Sequence, residues 1–169
     1  MKRIYDYLRL LFFIGGVLIG VQIPGFVDQY GKSLESHYIE SSASLQPFRD
    51  DAKQYFDDDI KKLVKHYQSN PDVVFKRGGR NISVIFQRNQ VLENALSAFS
   101  STAYEAFAQA LWHPVSDIQK EVWENYSYNL LLDKTAIIIG LSIGLIISII
   151  AELNLFLLLS AIKLTIYRA

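Results

Sequence analysis

The sequence predicts an all-α membrane protein in which two transmembrane helices flank a long antiparallel, coiled-coil-like helical hairpin outside the cytoplasm. Three observations support this fold class. Both ends carry long apolar runs, and the middle repeats its apolar residues at steps of three and four, as amphipathic helices do. The charges are concentrated between these ends, since residues 24–134 hold 12 of the 17 Lys and Arg and 15 of the 17 Asp and Glu. This middle is slightly acidic, so nucleic acid is not an expected partner.

Residues 1–24 are predicted to form an N-terminal transmembrane signal anchor. From Ile4 to Ile23 the chain has 20 residues, and a helix of that length matches the bilayer core of about 30 Å. Lys2 and Arg3 before an apolar run also describe a cleavable secretory signal peptide. The run ends in GVQIPGF, which has no small-x-small cleavage site, and this favours an uncleaved anchor.

Residues 134–169 are predicted to form a C-terminal transmembrane helix with a short cytoplasmic end. Thr135 to Ala151 gives 17 apolar or small residues, and the apolar character resumes after Glu152 and Asn154. One long tilted helix to about Ile162 would place both polar residues inside the membrane. A span that ends near Glu152, followed by an interfacial segment, would place that carboxylate near the headgroups. The absence of proline favours the first reading, and both remain open.

The positive residues next to the two spans predict their orientation. They lie before the first span or at its entrance, and after the second span, and they are Lys2, Arg3, Arg9, Lys163 and Arg168. Because cytoplasmic flanks carry the excess of Lys and Arg, both termini are expected in the cytoplasm. Residues 25–133 would then lie across the membrane, which in a bacterium is the periplasmic side of the inner membrane.

The segment 25–133 is predicted to be the helical hairpin, with its tip near residues 70–80. One arm, residues 25–69, has 45 residues, and the other, residues 81–133, has 53. As helices they would extend about 68 and about 80 Å. Two rods of similar length, joined by a short turn and both starting at the membrane, make an antiparallel pair.

Helix breakers mark the expected interruptions of this hairpin. Pro47 removes a backbone hydrogen bond, so a kink or short break is predicted near Ser44. Pro71 and the pair Gly78–Gly79 punctuate the predicted turn, and Pro114 interrupts the second arm.

Small residues recur every fourth position in each predicted span, where they form a stripe along one helix face. The second span carries Gly140, Gly144 and Ser148, with Glu152 continuing the same line, and the first span carries Gly16 and Gly20. Small residues allow helix backbones to approach closely in lipid. The two spans are therefore expected to pack through these residues, with Arg9 or Arg3 as the partner of Glu152.

No catalytic site, metal site or cofactor is predicted. The sequence has no cysteine, so thiolate chemistry and Cys-type zinc sites are excluded. His37 and Glu40 are three residues apart, but two ligands do not make a metal site. Asp57, Asp58 and Asp59 would point in three directions on a helix, which indicates a solvated face.

Three cations stand at the predicted tip, in the stretch KRGGR. They are Lys76, Arg77 and Arg80. An anionic surface such as a polymer or an acidic protein is a candidate contact for them, but a simple solvated turn is the favoured interpretation.

The pattern as a whole predicts a non-enzymatic assembly protein held in the lipid bilayer. A lone two-helix hairpin has a small core, so oligomerisation or binding to another inner-membrane protein is expected to complete it. The alternative is a subunit of an oligomeric channel or transporter, because an ionisable residue within a membrane span is a functional candidate. Glu152 and Asn154 would line its path.

Residues 22–37, QIPGFVDQYGKSLESH, resemble the opening of a bacterial membrane-protein family known as domain of unknown function family 2937. The resemblance lies in Gln22, Pro24, Phe26 and Tyr30 directly after an N-terminal span, with a second span closing the chain. It implies a proteobacterial inner-membrane protein, and it carries over no catalytic residues.

Overall fold

The computed structural model describes residues 2–126 and 134–167, and every regular element in these ranges is an α-helix. The predicted all-helical class is therefore confirmed. The described residues form seven helices in sequence: α1 (Lys2–Gly20), α2 (Gln22–Tyr55), α3 (Ile60–Ser69), α4 (Val73–Ser101), α5 (Ala103–Leu111), α6 (Ser116–Glu124) and α7 (Lys134–Tyr167). The chain divides into a terminal unit, Met1–Phe26 with Tyr126–Ala169, and a central unit, Val27–Asn125.

The terminal unit is built from α1 and α7, which pack against each other. Within the described residues, two helical stretches are long and apolar enough to cross a membrane: Tyr5–Tyr55, which begins in α1, and the Lys134–Leu155 part of α7. α7 itself continues without interruption to Tyr167. The chain beyond Glu152 therefore extends the same helix.

Pro24 accounts for the boundary between α1 and α2. It has no amide hydrogen, so it cannot donate to the carbonyl of Gly20, and the regular helix is interrupted at Val21. Pro24 itself lies in the first turn of α2, where helices tolerate a missing donor.

In the central unit, the first predicted arm is interrupted at a different place from the one expected. α2 continues through Pro47, with no break at Ser44, and ends at Tyr55. The interruption follows at Asp57 and Asp58, whose φ angles of 55° and 60° are left-handed. Asp adopts this conformation more readily than most residues with a side chain, and two in succession end the helix.

The acidic run is therefore not a continuous helical face. Asp59 caps the N-terminus of α3, because its side chain accepts a hydrogen bond from the amide of Lys61 at 2.9 Å. Asp57 pairs instead with Lys62, whose Nζ lies 2.7 Å from Oδ2. Both carboxylates stabilise the break and the start of the next helix.

The turn between α3 and α4 is shorter than predicted and contains no glycine. It consists of residues 70–72, and Asp72 caps α4 by accepting a hydrogen bond from the amide of Val74. Gly79 lies inside α4 and faces α3, where an added Cβ would lie 2.9 Å from the Cβ of Tyr67. This glycine serves the close approach of two helices, and the prediction that it belongs to the turn is wrong.

The second predicted arm is divided into three helices up to residue 126. Thr102 separates α4 from α5 and caps α5 by accepting a hydrogen bond from the amide of Glu105. Residues 112–115, which include Pro114, separate α5 from α6. The last part of the predicted arm, residues 127–133, lies outside the described residues.

The core of the central unit lies between α2, α3, α4 and α6. One cluster consists of Leu45, Ala52, Ile60 and Leu63, against which five larger side chains pack: Phe48, Phe56, Tyr67, Ile85 and Phe86. Another part of the core holds the fully buried Tyr30, Leu34, Leu92 and Ile118. These residues follow the apolar periodicity of the sequence, which explains why the chain folds with these helix faces inward.

Candidate functional site

The small residues of α1 and α7 face one another across the interface of the terminal unit. A Cβ atom added to Gly16 would lie 2.8 Å from the Cα of Gly144, and one added to Gly20 would lie 2.8 Å from the Cα of Gly140. Real Cβ atoms do not approach backbone atoms so closely, so both pairs require glycine on the α1 side. The structure thus brings together all four glycines of the two stripes.

The same interface has a groove of about 500 Å³ that is lined by both polar and apolar side chains. Ser148 is buried at its wall, and Glu152 and Arg9 stand at its edge with Oε2 and Nη1 3.9 Å apart. The two side chains are 64% and 55% exposed, so their attraction is weak where water is present and stronger where lipid excludes water. Asp6 also lines the groove.

Asn154 does not join Glu152. Its side-chain amide donates to the carbonyl of Ile150 at 2.8 Å, four residues earlier on the same helix. One donor of this amide is therefore bonded within α7.

The predicted tip cations lie on the first turns of α4. Lys76, Arg77 and Arg80 are all exposed, and each is placed by the helix that Asp72 caps. They are four to eight residues beyond the cap, so the helix backbone fixes their spacing.

The central unit contains a polar cluster that the sequence did not predict. His37 Nε2 and Glu121 Oε2 are 2.8 Å apart, and the hydroxyl of Ser33 donates to the other oxygen of Glu121 at 3.1 Å. Arg88 donates to both oxygens of Asp117, at 3.2 and 2.5 Å. Glu121 thus joins α6 to α2, and Asp117 joins α6 to α4.

These contacts lower the pKa of both carboxyl groups on α6. For Glu121, the hydrogen bond with His37 is the largest effect and lowers the pKa; burial opposes it, and the hydrogen bond from Ser33 lowers the pKa further. For Asp117, burial acts to raise the pKa, and the hydrogen bond and charge of Arg88, with a backbone hydrogen bond, outweigh it. Both groups therefore stay ionised at a lower pH than usual.

A second polar group lies deeper, between α2 and α4. Asn89 is completely buried, and its Oδ1 accepts from Arg49 at 2.8 Å while its Nδ2 donates to Ser42 at 2.8 Å. Because both ends of the amide are paired, its burial is tolerated. Truncating it would leave two polar partners unsatisfied.

A groove of about 300 Å³ lies beside these polar groups in the central unit. His37, Glu40, Ser41 and Arg88 supply its polar wall, and Val84, Ile85 and Leu92 supply apolar wall. The hydroxyl of Ser41 is buried without a hydrogen-bond partner among the described residues. Within those residues, no group of three His, Asp or Glu side chains is placed to hold a metal ion.

These polar groups were not predicted, although the sequence contains signals for them. Asn89 occupies an apolar position in the helical repeat of α4, which indicates a buried polar group. Ser33 and His37 are four residues apart, as are Asp117 and Glu121, so each pair shares one helix face. What the sequence did not show was which faces meet.

Three residues of the QIPGF…Y pattern make contacts between distant parts of the chain. In the terminal unit, the hydroxyl of Tyr126 donates to the backbone carbonyl of Gln22 at 2.9 Å, and its ring packs edge-on to Phe26. In the central unit, the buried hydroxyl of Tyr30 accepts from the amide of Val115 at 3.0 Å, where α6 begins. The pattern therefore has a structural role in each unit.

Fold and site together define an all-helical protein with two helices long and apolar enough to span a membrane, joined through small residues. Over residues 4–164 the chain matches the family described as "Protein of unknown function (DUF2937)". It belongs to that family, as its N-terminal pattern suggested. Neither the curated proteins nor the solved structures include a match to it.

Proposed function

We propose that this protein is a non-enzymatic integral protein of the bacterial inner membrane that oligomerises or scaffolds an envelope complex. In this proposal α1 and α7 cross the membrane as a packed pair, both termini are cytoplasmic, and the central unit is a periplasmic hairpin that mediates assembly. The observation that carries the proposal is the glycine interface, because close backbone contact is how helices associate in lipid.

The contacts within the central unit support an antiparallel hairpin. Asn89 meets Arg49, 40 residues away, and Glu121 meets His37, 84 residues away. Partners thus become more distant in sequence as the chain leaves the turn at residues 70–72, which is the pattern of two chain segments running in opposite directions.

Exposed apolar side chains on the central unit support assembly with another protein surface. Val84 and Val91 are seven residues apart on one face of α4, and both are at least half exposed. Large exposed side chains also occur elsewhere in the unit: Ile39, Tyr55, Tyr104, Trp112 and Trp123. Burial of such side chains against another protein would remove apolar surface from water, and we assign the Val84–Val91 face to a contact with a second copy of the chain.

The mass of the detergent-solubilised protein tests this proposal. Light scattering coupled to size exclusion should give a multiple of the 19.3 kDa chain mass. Val84→Ser with Val91→Ser should shift the population towards the single chain, whereas the exposed polar control, Gln90→Ser with Asn94→Ser, should not. A single-chain mass in detergent and in lipid nanodiscs, without a co-purifying envelope protein, would refute the proposal.

The groove beside Glu152 favours a second candidate, a subunit of an oligomeric channel or transporter, because charged and polar side chains form part of its lining. Arg9, Ser148 and Glu152 line one surface at the α1–α7 interface, and copies arranged around an axis would turn such surfaces towards a shared path. Ion flux into proteoliposomes should then change in Glu152→Gln and remain normal in Leu153→Ile. Equal flux from wild type, Glu152→Gln and empty liposomes excludes this candidate.

A further inference from the structure

An exposed apolar segment begins α4, directly after the turn at residues 70–72. Val73 is 70% exposed, Val74 is 74% exposed and Phe75 is 48% exposed. Three consecutive large apolar residues in water are unfavourable unless another surface covers them.

The segment is held in a defined position. Phe75 packs on Tyr67 of α3 with ring centroids 5.8 Å apart, and Gly79 brings the two helices into close contact. Asp72 fixes the start of α4 through its cap. The exposure of Val73 and Val74 is thus imposed by helix packing on the opposite side.

Cations share a helix face with Val73, the first residue of this apolar segment. One stripe of α4 carries Val73 and the three cations, because the cations lie three, four and seven residues after Val73. They are Lys76, Arg77 and Arg80. No ion pair holds these three cations among the described residues, and Asp72, the one acidic residue of the stretch 69–80, is engaged in the helix cap. The stretch therefore carries a net charge of +2 next to exposed apolar surface.

We propose that the surface formed by Val73, Val74, Lys76, Arg77 and Arg80 binds an anionic lipid bilayer, while Phe75 holds the segment against α3. Headgroup phosphates would neutralise the cations, and the apolar side chains would enter the boundary between headgroups and acyl chains, as amphipathic helices do. A purely acidic peptide segment would satisfy the cations but would leave the two valines without an apolar environment. This inference goes beyond the assembly role and does not depend on oligomerisation.

A fluorescent label near the turn tests the inference. The chain has no cysteine, so Ser69→Cys provides a single site for an environment-sensitive dye next to the proposed surface. The full-length protein is placed in phosphatidylcholine nanodiscs and titrated with vesicles of phosphatidylcholine, with or without phosphatidylglycerol. A second set of nanodiscs contains phosphatidylglycerol. The vesicles detect binding to a separate bilayer, and these nanodiscs detect binding to the bilayer that holds the protein. We expect a blue shift with phosphatidylglycerol in one of these arrangements, and its reversal by high salt.

Two variants separate the contributions of charge and apolar contact. Lys76→Gln, Arg77→Gln and Arg80→Gln together should weaken vesicle binding about 100-fold. Val73→Ser with Val74→Ser should abolish the blue shift while a salt-dependent association remains. The control, Lys61→Gln with Lys65→Gln on the exposed side of α3, should behave like the parent, and circular dichroism should show equal helix content in all four proteins.

Several results would overturn the inference. One is the absence of a blue shift with phosphatidylglycerol in both arrangements. Another is an equal shift with neutral and anionic vesicles, since the cations would then have no role. A third is binding to polyglutamate with no binding to vesicles, which would identify an acidic protein as the partner.

Discussion

The backbones of Gly16 and Gly144 lie so close together that a Cβ atom on Gly16 would be 2.8 Å from the Cα of Gly144. A Cβ on Gly144 would in turn lie 2.9 Å from the carbonyl oxygen of Phe13. Both obstacles are backbone atoms, so a change of rotamer cannot relieve them. The two helices must separate if either residue gains a side chain.

Gly16→Ala should therefore destabilise the α1–α7 pair by about 1–3 kcal/mol, because overpacking forces the helices apart. The neighbouring Gly15→Ala is the matched control, since an added Cβ there meets nothing within 4 Å. Alanine should even favour the helix at that position. Thermal unfolding in one detergent compares the two, and equal melting temperatures would mean that α1 and α7 are not in close contact.

The buried amide of Asn89 gives a second prediction. Asn89→Ala should lower the free energy of unfolding by about 1–3 kcal/mol, because Arg49 and Ser42 lose their common partner in a buried site. Asn81→Ala on the exposed side of the same helix should change it little. Chemical denaturation monitored by circular dichroism measures both, and similar losses would contradict a special role for Asn89.

The periodicity of the sequence was enough to predict the helical class and the small-residue stripes. Gly16, Gly20, Gly140 and Gly144 stand out because the four-residue spacing is a local property of one helix. Helix ends were predicted less well. Gly79 resembles a turn residue in sequence, yet its role is set by Tyr67 on another helix. Likewise, nothing local indicates that two Asp residues would adopt left-handed φ angles.

The polar cluster on α6 lay beyond sequence reasoning for a related reason. His37 has a nearby carboxylate in Glu40, but its partner is Glu121, 84 residues away. Helical spacing shows which residues share a face. It does not show which face packs on which, because that depends on the breaks near Asp57, Thr102 and Pro114.

Acid should weaken the attachment of α6. The pKa values of Asp117 and Glu121 lie below their ordinary values of 3.8 and 4.5, so the unfolded chain binds protons first as the pH falls. The stabilisation is complete above the unfolded pKa values and is lost as the pH falls through the folded ones. The effect is small, because both groups are largely exposed.

A melting curve taken at intervals from neutral pH down to about pH 3 measures this loss. In Asp117→Asn with Glu121→Gln, the melting temperature should start lower at neutral pH and fall less steeply in acid. Glu35→Gln with Glu93→Gln removes two other exposed carboxylates and should leave the wild-type slope. An unchanged slope in the first variant would show that the α6 carboxylates do not govern acid sensitivity.

The left-handed conformation of Asp58 predicts a stabilising substitution. With φ at 60°, Asp58→Gly removes a steric cost of about 1 kcal/mol that a residue with a Cβ pays there. Asp51→Gly, within the regular part of α2, should instead destabilise by a similar amount. Opposite shifts of the unfolding midpoint are expected, and a loss of stability in both would mean that the chain is not left-handed at Asp58.

The two hydrogen bonds of Asn89 also limit how α2 and α4 can slide along each other. Its partners, Ser42 and Arg49, are seven residues apart on α2. Ser42 accepts from the amide nitrogen, and Arg49 donates to the amide oxygen. A shift of α4 by one turn, about 5.4 Å, would exchange one set of apolar contacts for a similar one, but it would separate the amide from these partners. Apolar packing alone accepts several axial alignments of two long helices, and this buried amide selects one of them.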